Sequence, residues 1–250
     1  MNEKTTDAGE VQAPQLGLLR VLILDDNAHG LASTLRDTFK KYNDGELYTL
    51  PPHVASMSRV RFDVTLKENT EDFVTCLAGT PSWDAYVIDN RFGTVAKAIS
   101  INRPLNDLQA PGLRIVWTGH PDPEVTPTMP RPPKHQHIVE CMRLGAWDYI
   151  IKGEPRYGDT CIDVIVSILE GLAEREKNAI RAQVDREGHE FVVQHYGEIY
   201  REHRGHFVAF AREGGQWQIK QKAKSPSLYD LYQQIDPAMR DQLHITFIAE

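Results

Sequence analysis

Four short apolar runs recur along the first part of the chain, and each stops at a residue that carries chemistry. Leu18–Leu24 ends in Asp25-Asp26, Ala85–Ile88 in Asp89, Leu113–Trp117 in Thr118, and Tyr149–Ile151 in Lys152. Runs this short, bounded by polar and turn residues, read as buried strands. A fifth segment, Arg59–Thr65, alternates apolar and polar residues as a half-buried strand does. Helical patterns separate the strands at about Gly30–Tyr42, Thr70–Ala78 and His137–Leu144. This alternation predicts an α/β fold, a doubly wound five-stranded parallel sheet with helices on both faces. All strand carboxyl ends of such a sheet lie on one edge, where ligands bind. Asp25, Asp26, Asp89, Thr118 and Lys152 are therefore expected to converge there.

Composition removes several classes. The 250 residues hold 28 Lys and Arg against 35 Asp and Glu, a net charge of −7, with 41% hydrophobic residues. That is enough apolar content for a packed core without a disulfide or metal staple. The negative balance argues against a general nucleic-acid binder, which concentrates basic residues on one face. Cys76, Cys141 and Cys161 are odd in number and lack CxxC spacing, so they are expected to be structural thiols in a reducing compartment. His135 and His137 lack a third ligand at suitable spacing, and no zinc site is expected. No run approaches the roughly 20 apolar residues of a membrane span, and the first residues are polar. The expectation is a cytoplasmic protein with no membrane partner.

The chain divides by pattern into a flexible arm at 1–15, an α/β domain at 16–172, a linker helix at 173–188 and a small α+β domain at 189–250. The linker belongs to a long helix expected over Ile162–Val184. Its far half is long enough to pair with a second copy in a homodimer, or to serve as a solvated connector. The last domain reads as α-β-β-α-β. A helix at Phe191–His203 precedes strands Phe207–Arg212 and Trp217–Lys222 around Gly214-Gly215, a helix at Ser227–Ile235 and a strand at Ile245–Ile248. Gly-Gly between two alternating runs is a hairpin signal. The basic run Lys220–Lys224 reads as a solvated strand end, and Ser225-Pro226-Ser227 as a turn and N-cap.

Three carboxylates gathered on one edge repel one another, and each is harder to ionise unless a cation compensates. A divalent cation does so, and Mg²⁺ needs only two carboxylates and a carbonyl beside its own waters. Asp26 and Asp89 are the expected direct ligands, with Asp25 acting through water. If the Asp89 carboxylate attacks phosphorus, the metal, Lys152 and Thr118 can each stabilise the charge on the transferred phosphoryl oxygens. Taken singly, Asp25 and Asp26 could equally cap the following helix, and Lys152 could be a surface lysine.

The segments Leu22-Ile23-Leu24-Asp25-Asp26-Asn27, Val87-Ile88-Asp89, Ile115-Val116-Trp117-Thr118-Gly119 and Gly145–Lys152, in this order, resemble the receiver domain of two-component response regulators. The resemblance covers roughly residues 18–172 and implies a flavodoxin-like fold. It implies that Asp89 is the phosphoacceptor, that Asp25 and Asp26 form the acidic metal pair, and that the backbone carbonyl of Arg91 completes the Mg²⁺ site. It implies further that Thr118 is the hydroxyl that moves toward the phosphoryl group, with Lys152 the matching lysine. Tyr149 matches the aromatic switch residue, although a core aromatic fits the same position. Arg91 and His120, each two positions beyond a key residue, would flank the phosphoryl group. The sequence departs from the family in two loops. Asn90-Arg91-Phe92 replaces a proline-bearing loop after Asp89, and Gly153 stands where proline usually follows the lysine. Extra length is expected in Asn43–Ser58 and in the proline-rich stretch Pro121–Pro133.

The resemblance implies a response regulator, not a metabolic enzyme. It would take its phosphoryl group from a histidine kinase or phosphotransfer protein and switch the contacts of a dimer surface or of a downstream protein partner. The alternative is a pseudo-receiver that keeps the acidic pocket as a phosphorylation-independent interaction scaffold. An output enzyme in the last domain is a third reading, for which no metal motif, phosphate loop or Ser/His/Asp arrangement speaks. No DNA-binding helix-turn-helix is evident in that domain, which faintly resembles small αββαβ domains appended to prokaryotic signalling proteins.

Overall fold

The computed structural model describes residues 17–27, 29–47, 50–55, 60–79, 82–89, 91–92, 95–96, 101–102, 105, 110–119, 136–213, 216–219, 225 and 227–249. The arm at 1–15, His120, the stretch 121–133, His135, Gly214-Gly215 and the basic run 220–224 lie outside them. The chain forms two compact units, Met1–Gly171 and Leu172–Glu250.

The first unit is built on five parallel strands: β1 (Gly17–Leu24), β2 (Val60–Lys67), β3 (Ala85–Ile88), β6 (Leu113–Thr118) and β7 (Asp148–Ile151). A two-residue hairpin, β4 (Arg91–Phe92) with β5 (Val95–Ala96), intervenes after β3. The sheet order is β2-β1-β3-β6-β7, with every pairing parallel. This is the flavodoxin-like doubly wound order, whose switch point lies between β1 and β3. Every residue of β3 and β6 is buried, as are the last four of β1, which accounts for runs that are apolar up to their polar ends except at Arg114 of β6, whose guanidinium donates to the Leu144 and Leu105 carbonyls.

Residues alternate across the sheet. On one face Leu22, Leu24, Tyr86, Ile88 and Val116 join Phe73 of α3 (Thr70–Gly79) and Cys141 of α4 (Gln136–Arg143) in one cluster. Val21, Ile23, Val87, Ile115 and Trp117 belong to the other face and are fully buried. Helices α1 (Leu31–Asn43) and α5 (Thr160–Gln194) add further buried side chains to the first unit, Leu35 and Phe39 from the one and Val164, Ile165 and Ile168 from the start of the other. Each such aliphatic side chain contributes roughly 1.5–3 kcal/mol by leaving water. Helix α1 buries Ala32, Leu35, Thr38, Phe39 and Tyr42 at helical spacing and ends at Gly45, whose φ of +72° suits glycine. The extra length before β2 holds a short helix, α2 (Pro52–Ala55), with Val54 fully buried and His53 Nε2 2.7 Å from Glu170 Oε1.

The expectations for the second unit need one correction. Helix α5 does not stop near Val184, and no separate helix starts at Phe191. One helix of 35 residues runs to Gln194, and α6 (Tyr196–His203) follows after a break at His195. The expected linker at 173–188 is the middle of that helix. Nothing between Val184 and Gln194 stops it: the one glycine, Gly188, is where His244 packs, and a Cβ there would lie 2.2 Å from the His244 Cβ. At His195 the backbone leaves helical geometry (φ −108°, ψ 17°).

The rest follows the expected order. Strands β8 (His206–Glu213), β9 (Gln216–Ile219) and β10 (Leu243–Ile248) form an antiparallel sheet in the order β10-β8-β9. Ala209 and Ala211 pack with Leu231 of α7 (Leu228–Gln234), Ile235 and Leu243 on one face. Val208 and Phe210 pack with Val192, Ile199 and Ile248 on the other. Ser227 caps α7, its Oγ accepting from the Asp230 N–H at 3.3 Å. A 3₁₀ turn at Pro237–Gln242 leads into β10. No helix among the described residues is long and apolar enough to cross a membrane.

Candidate functional site

The carboxyl ends of β1, β3, β6 and β7 bring five of the residues singled out above to one edge. Backbone hydrogen bonds extend the strand pairing one residue further and fix them. Asp89 N–H donates to Leu24 C=O at 2.8 Å, and Lys152 N–H to Thr118 C=O at 2.7 Å. Asp25, Asp26 and Asp89 each offer a carboxylate oxygen within 4.8 Å of the others. Asp25 and Asp89 are buried, whereas Asp26 is exposed at the rim.

Lys152 enters this group from the far strand. Its Nζ donates to Asp25 Oδ2 at 2.7 Å and to Asp89 Oδ2 at 3.0 Å. The ammonium also lies 4.3 Å from the centre of the Trp117 ring. A buried carboxylate pair is costly without a cation, and Lys152 supplies one here. The Asn27 N–H donates to the remaining Asp25 oxygen, Oδ1, at 2.8 Å. Both Asp25 oxygens thus accept hydrogen bonds. Burial raises the affinity of Asp89 for its proton, as does the Asp25 charge, while Lys152 and a hydrogen bond from Thr118 oppose them; the net direction is upward.

This donor set fits a hard divalent cation. Crowded oxygen ligands, two of them buried and one at the solvent rim, match what Mg²⁺ takes, and a single ammonium leaves the site with negative charge in excess. Asp26 and Asp89 would hold such an ion.

Tyr149 is half-buried against the cluster that contains Val116, its register partner in β6. Arg91 lies in β4, opposite Ala96. His120 lies outside the described residues. Gly153, which follows Lys152, has φ +96°, a conformation closed to proline. The loop it opens is held by Asp163, fully buried in α5, whose carboxylate accepts from the N–H groups of Arg156 and Tyr157. Trp117, Asn27 and Asp163 were not anticipated. Only Trp117 carried a signal, a bulky ring one position before Thr118. Cys141 and Cys161 are buried thiols, each pushed up to about 12 by desolvation, as expected of structural cysteines.

No family model and no curated protein matches the chain. Solved structures do, and most of those most similar to it are response regulator receiver domains. Full-length FixJ from B. japonicum is 20% identical over 66% of this chain and 64% of its own, with a TM-score of 0.42. A response regulator receiver domain protein from Clostridium thermocellum is 15% identical over 63% of this chain and 97% of its own, with a TM-score of 0.42. A response regulator receiver protein from Pseudomonas putida is 15% identical over 62% and 98%, with a TM-score of 0.40. With TM-scores this low, the fold assignment rests on the strand order and register of the sheet. The first unit is a flavodoxin-like, doubly wound α/β domain with an acidic pocket at its switch point.

Proposed function

We propose that the chain is a response regulator whose first unit accepts a phosphoryl group on Asp89. The observation that supports this most is the meeting of Asp25, Asp26, Asp89, Thr118 and Lys152 at one sheet edge, with Lys152 bridging two carboxylates. An Asp89 oxygen attacks phosphorus, and the bond from phosphorus to the donor's nitrogen or oxygen breaks, leaving an aspartyl phosphate. A bound Mg²⁺ supplies charge stabilisation to the phosphoryl oxygens. Lys152 already touches Asp89 and needs little movement to reach an oxygen of the group added there. The Thr118 hydroxyl, hydrogen-bonded to Asp89 beforehand, can transfer its bond to the same group.

The output is a change of surface, not a metabolic reaction. Drawing Thr118 toward the phosphoryl group alters packing beside Tyr149, whose rotation would change the face formed by β7 and its neighbouring helix. The partner upstream is a histidine kinase or a phosphotransfer protein. Downstream the change would favour a dimer or another protein.

Intact mass after incubation with Mg²⁺ and acetyl phosphate tests the chemistry. A single-phosphate adduct is expected in the native chain and absent in Asp89→Asn. No adduct in the native chain, together with no Mg²⁺ binding, would replace this proposal with a phosphorylation-independent scaffold.

A further inference from the structure

The second unit holds a cavity of about 300 Å³ between α6 and the edge strand β9, unrelated to phosphoryl chemistry. Phe191, Phe210 and Trp217 form its apolar lining with Ile199. Phe191 and Trp217 are nearly stacked, with centroids 6.3 Å apart and planes inclined by 26°, and Phe191 meets Phe210 edge-on at 5.9 Å. Trp217 stays half-buried, so its ring is held in place while part of it faces solvent.

Two carboxylates stand among the polar groups around these rings. Glu198 and Glu202 stand one turn apart on the exposed side of α6 and both line the cavity. No Lys or Arg is among the described residues that line it. Among the described residues, Glu202 makes a long contact, 3.7 Å, to His203 Nε2. His195 Nδ1 lies 3.0 Å from the Phe191 carbonyl oxygen. Aromatic faces and two carboxylates both favour a positive charge.

We propose that this cavity binds a small organic ammonium ion, seated against Trp217 with its charge toward Glu198 and Glu202. Aromatic faces attract such cations through their quadrupole, and carboxylates add long-range attraction. The volume is at the lower end of ligand sites, roughly 300–1,000 Å³, which suits an ion of choline size.

Nitrogen-15 NMR of the full chain reads the site through the Trp217 indole N–H, assigned by its loss in Trp217→Phe. Choline and its uncharged carbon isostere, 3,3-dimethylbutanol, are the probes. Choline is expected to shift the Trp217 signal saturably, with the isostere at least about tenfold weaker. The double variant Glu198→Gln/Glu202→Gln should weaken choline about fivefold or more and leave the isostere unchanged. Both glutamates are exposed, so the variant keeps its fold, which the other tryptophan signals verify. Equal affinity for the two probes overturns the proposal. So does a Trp217 signal that shows no saturable shift with choline below about 10 mM, or a double variant that binds choline as the native chain does.

Discussion

The ammonium of Lys152 lies 4.3 Å from the centre of the Trp117 ring, on the side of the sheet edge where Asp25 and Asp89 meet. Trp117 is fully buried, and its ring limits where Lys152 can go. Replacing it by Leu opens a cavity and should cost about 2–4 kcal/mol in urea denaturation. It should also slow phosphoryl acceptance, because the ammonium loses its platform. Trp117→Phe keeps an aromatic face and is expected to restore most of the rate while recovering only part of the stability. Equal rates of adduct formation in the Leu and Phe variants would show that the ring does not position Lys152.

Asp89 gives a pH dependence with a defined sign. Its folded value is raised above the ordinary 3.8, first by burial, so the folded chain holds this proton more tightly than the unfolded chain. The stabilisation is fully present below 3.8 and is lost as pH rises through the folded value. With a chelator present, the stability of the native chain relative to Asp89→Asn should therefore fall as pH rises from about 4 through the raised folded value. Added Mg²⁺ should narrow the gap at the upper end. Urea titrations across that range measure it, and a pH-independent difference would count against the direction assigned to Asp89.

Gly153 follows the bridging lysine with φ +96°, and a Cβ added there meets nothing within 4 Å. The cost of Gly153→Ala is then purely backbone strain, about 1–2 kcal/mol. Gly153→Pro should cost more, because its ring locks φ near −65°. Gly153→Asn should fall below both. Denaturation midpoints would rank the three, and a stable proline variant would refute the conformation described for this loop.

Two helical glycines of the second unit should respond in opposite directions to alanine. Gly188→Ala drives a methyl into the His244 Cβ at 2.2 Å and should cost about 1–3 kcal/mol. Gly197 has nothing within 4 Å, so Gly197→Ala should gain about 0.5–1 kcal/mol from helix propensity. Chemical denaturation of the full chain separates these, and a neutral Gly188→Ala would mean that His244 does not press on α5.

The sheet and its acidic edge were legible because burial on both faces writes strands as continuous apolar runs, and each run ended where chemistry began. Short elements left no such trace. The β4–β5 hairpin has two residues per strand, α2 has four residues, and neither length holds a period. The end of α5 was misread for another reason. Tertiary contact with His244 makes Gly188 an interior position of the helix, and only the three-dimensional partner reveals that. Convergence of the five site residues followed from strand order. The double occupancy of Asp25 by Asn27 and Lys152 did not, since it depends on side-chain direction.

Synthesis of the chain delivers its charges in sequence. Asp25 and Asp89 precede Lys152 by 127 and 63 residues, so the carboxylates emerge long before the ammonium that bridges them. Until the fifth strand arrives, a nascent sheet carries a crowded acidic edge without its own counter-ion. The fifth strand then adds apolar surface and brings the one ammonium that partly offsets the edge. Nascent fragments that end between Ile88 and Ile151 should accordingly gain more protease resistance from a divalent cation than the finished first unit does.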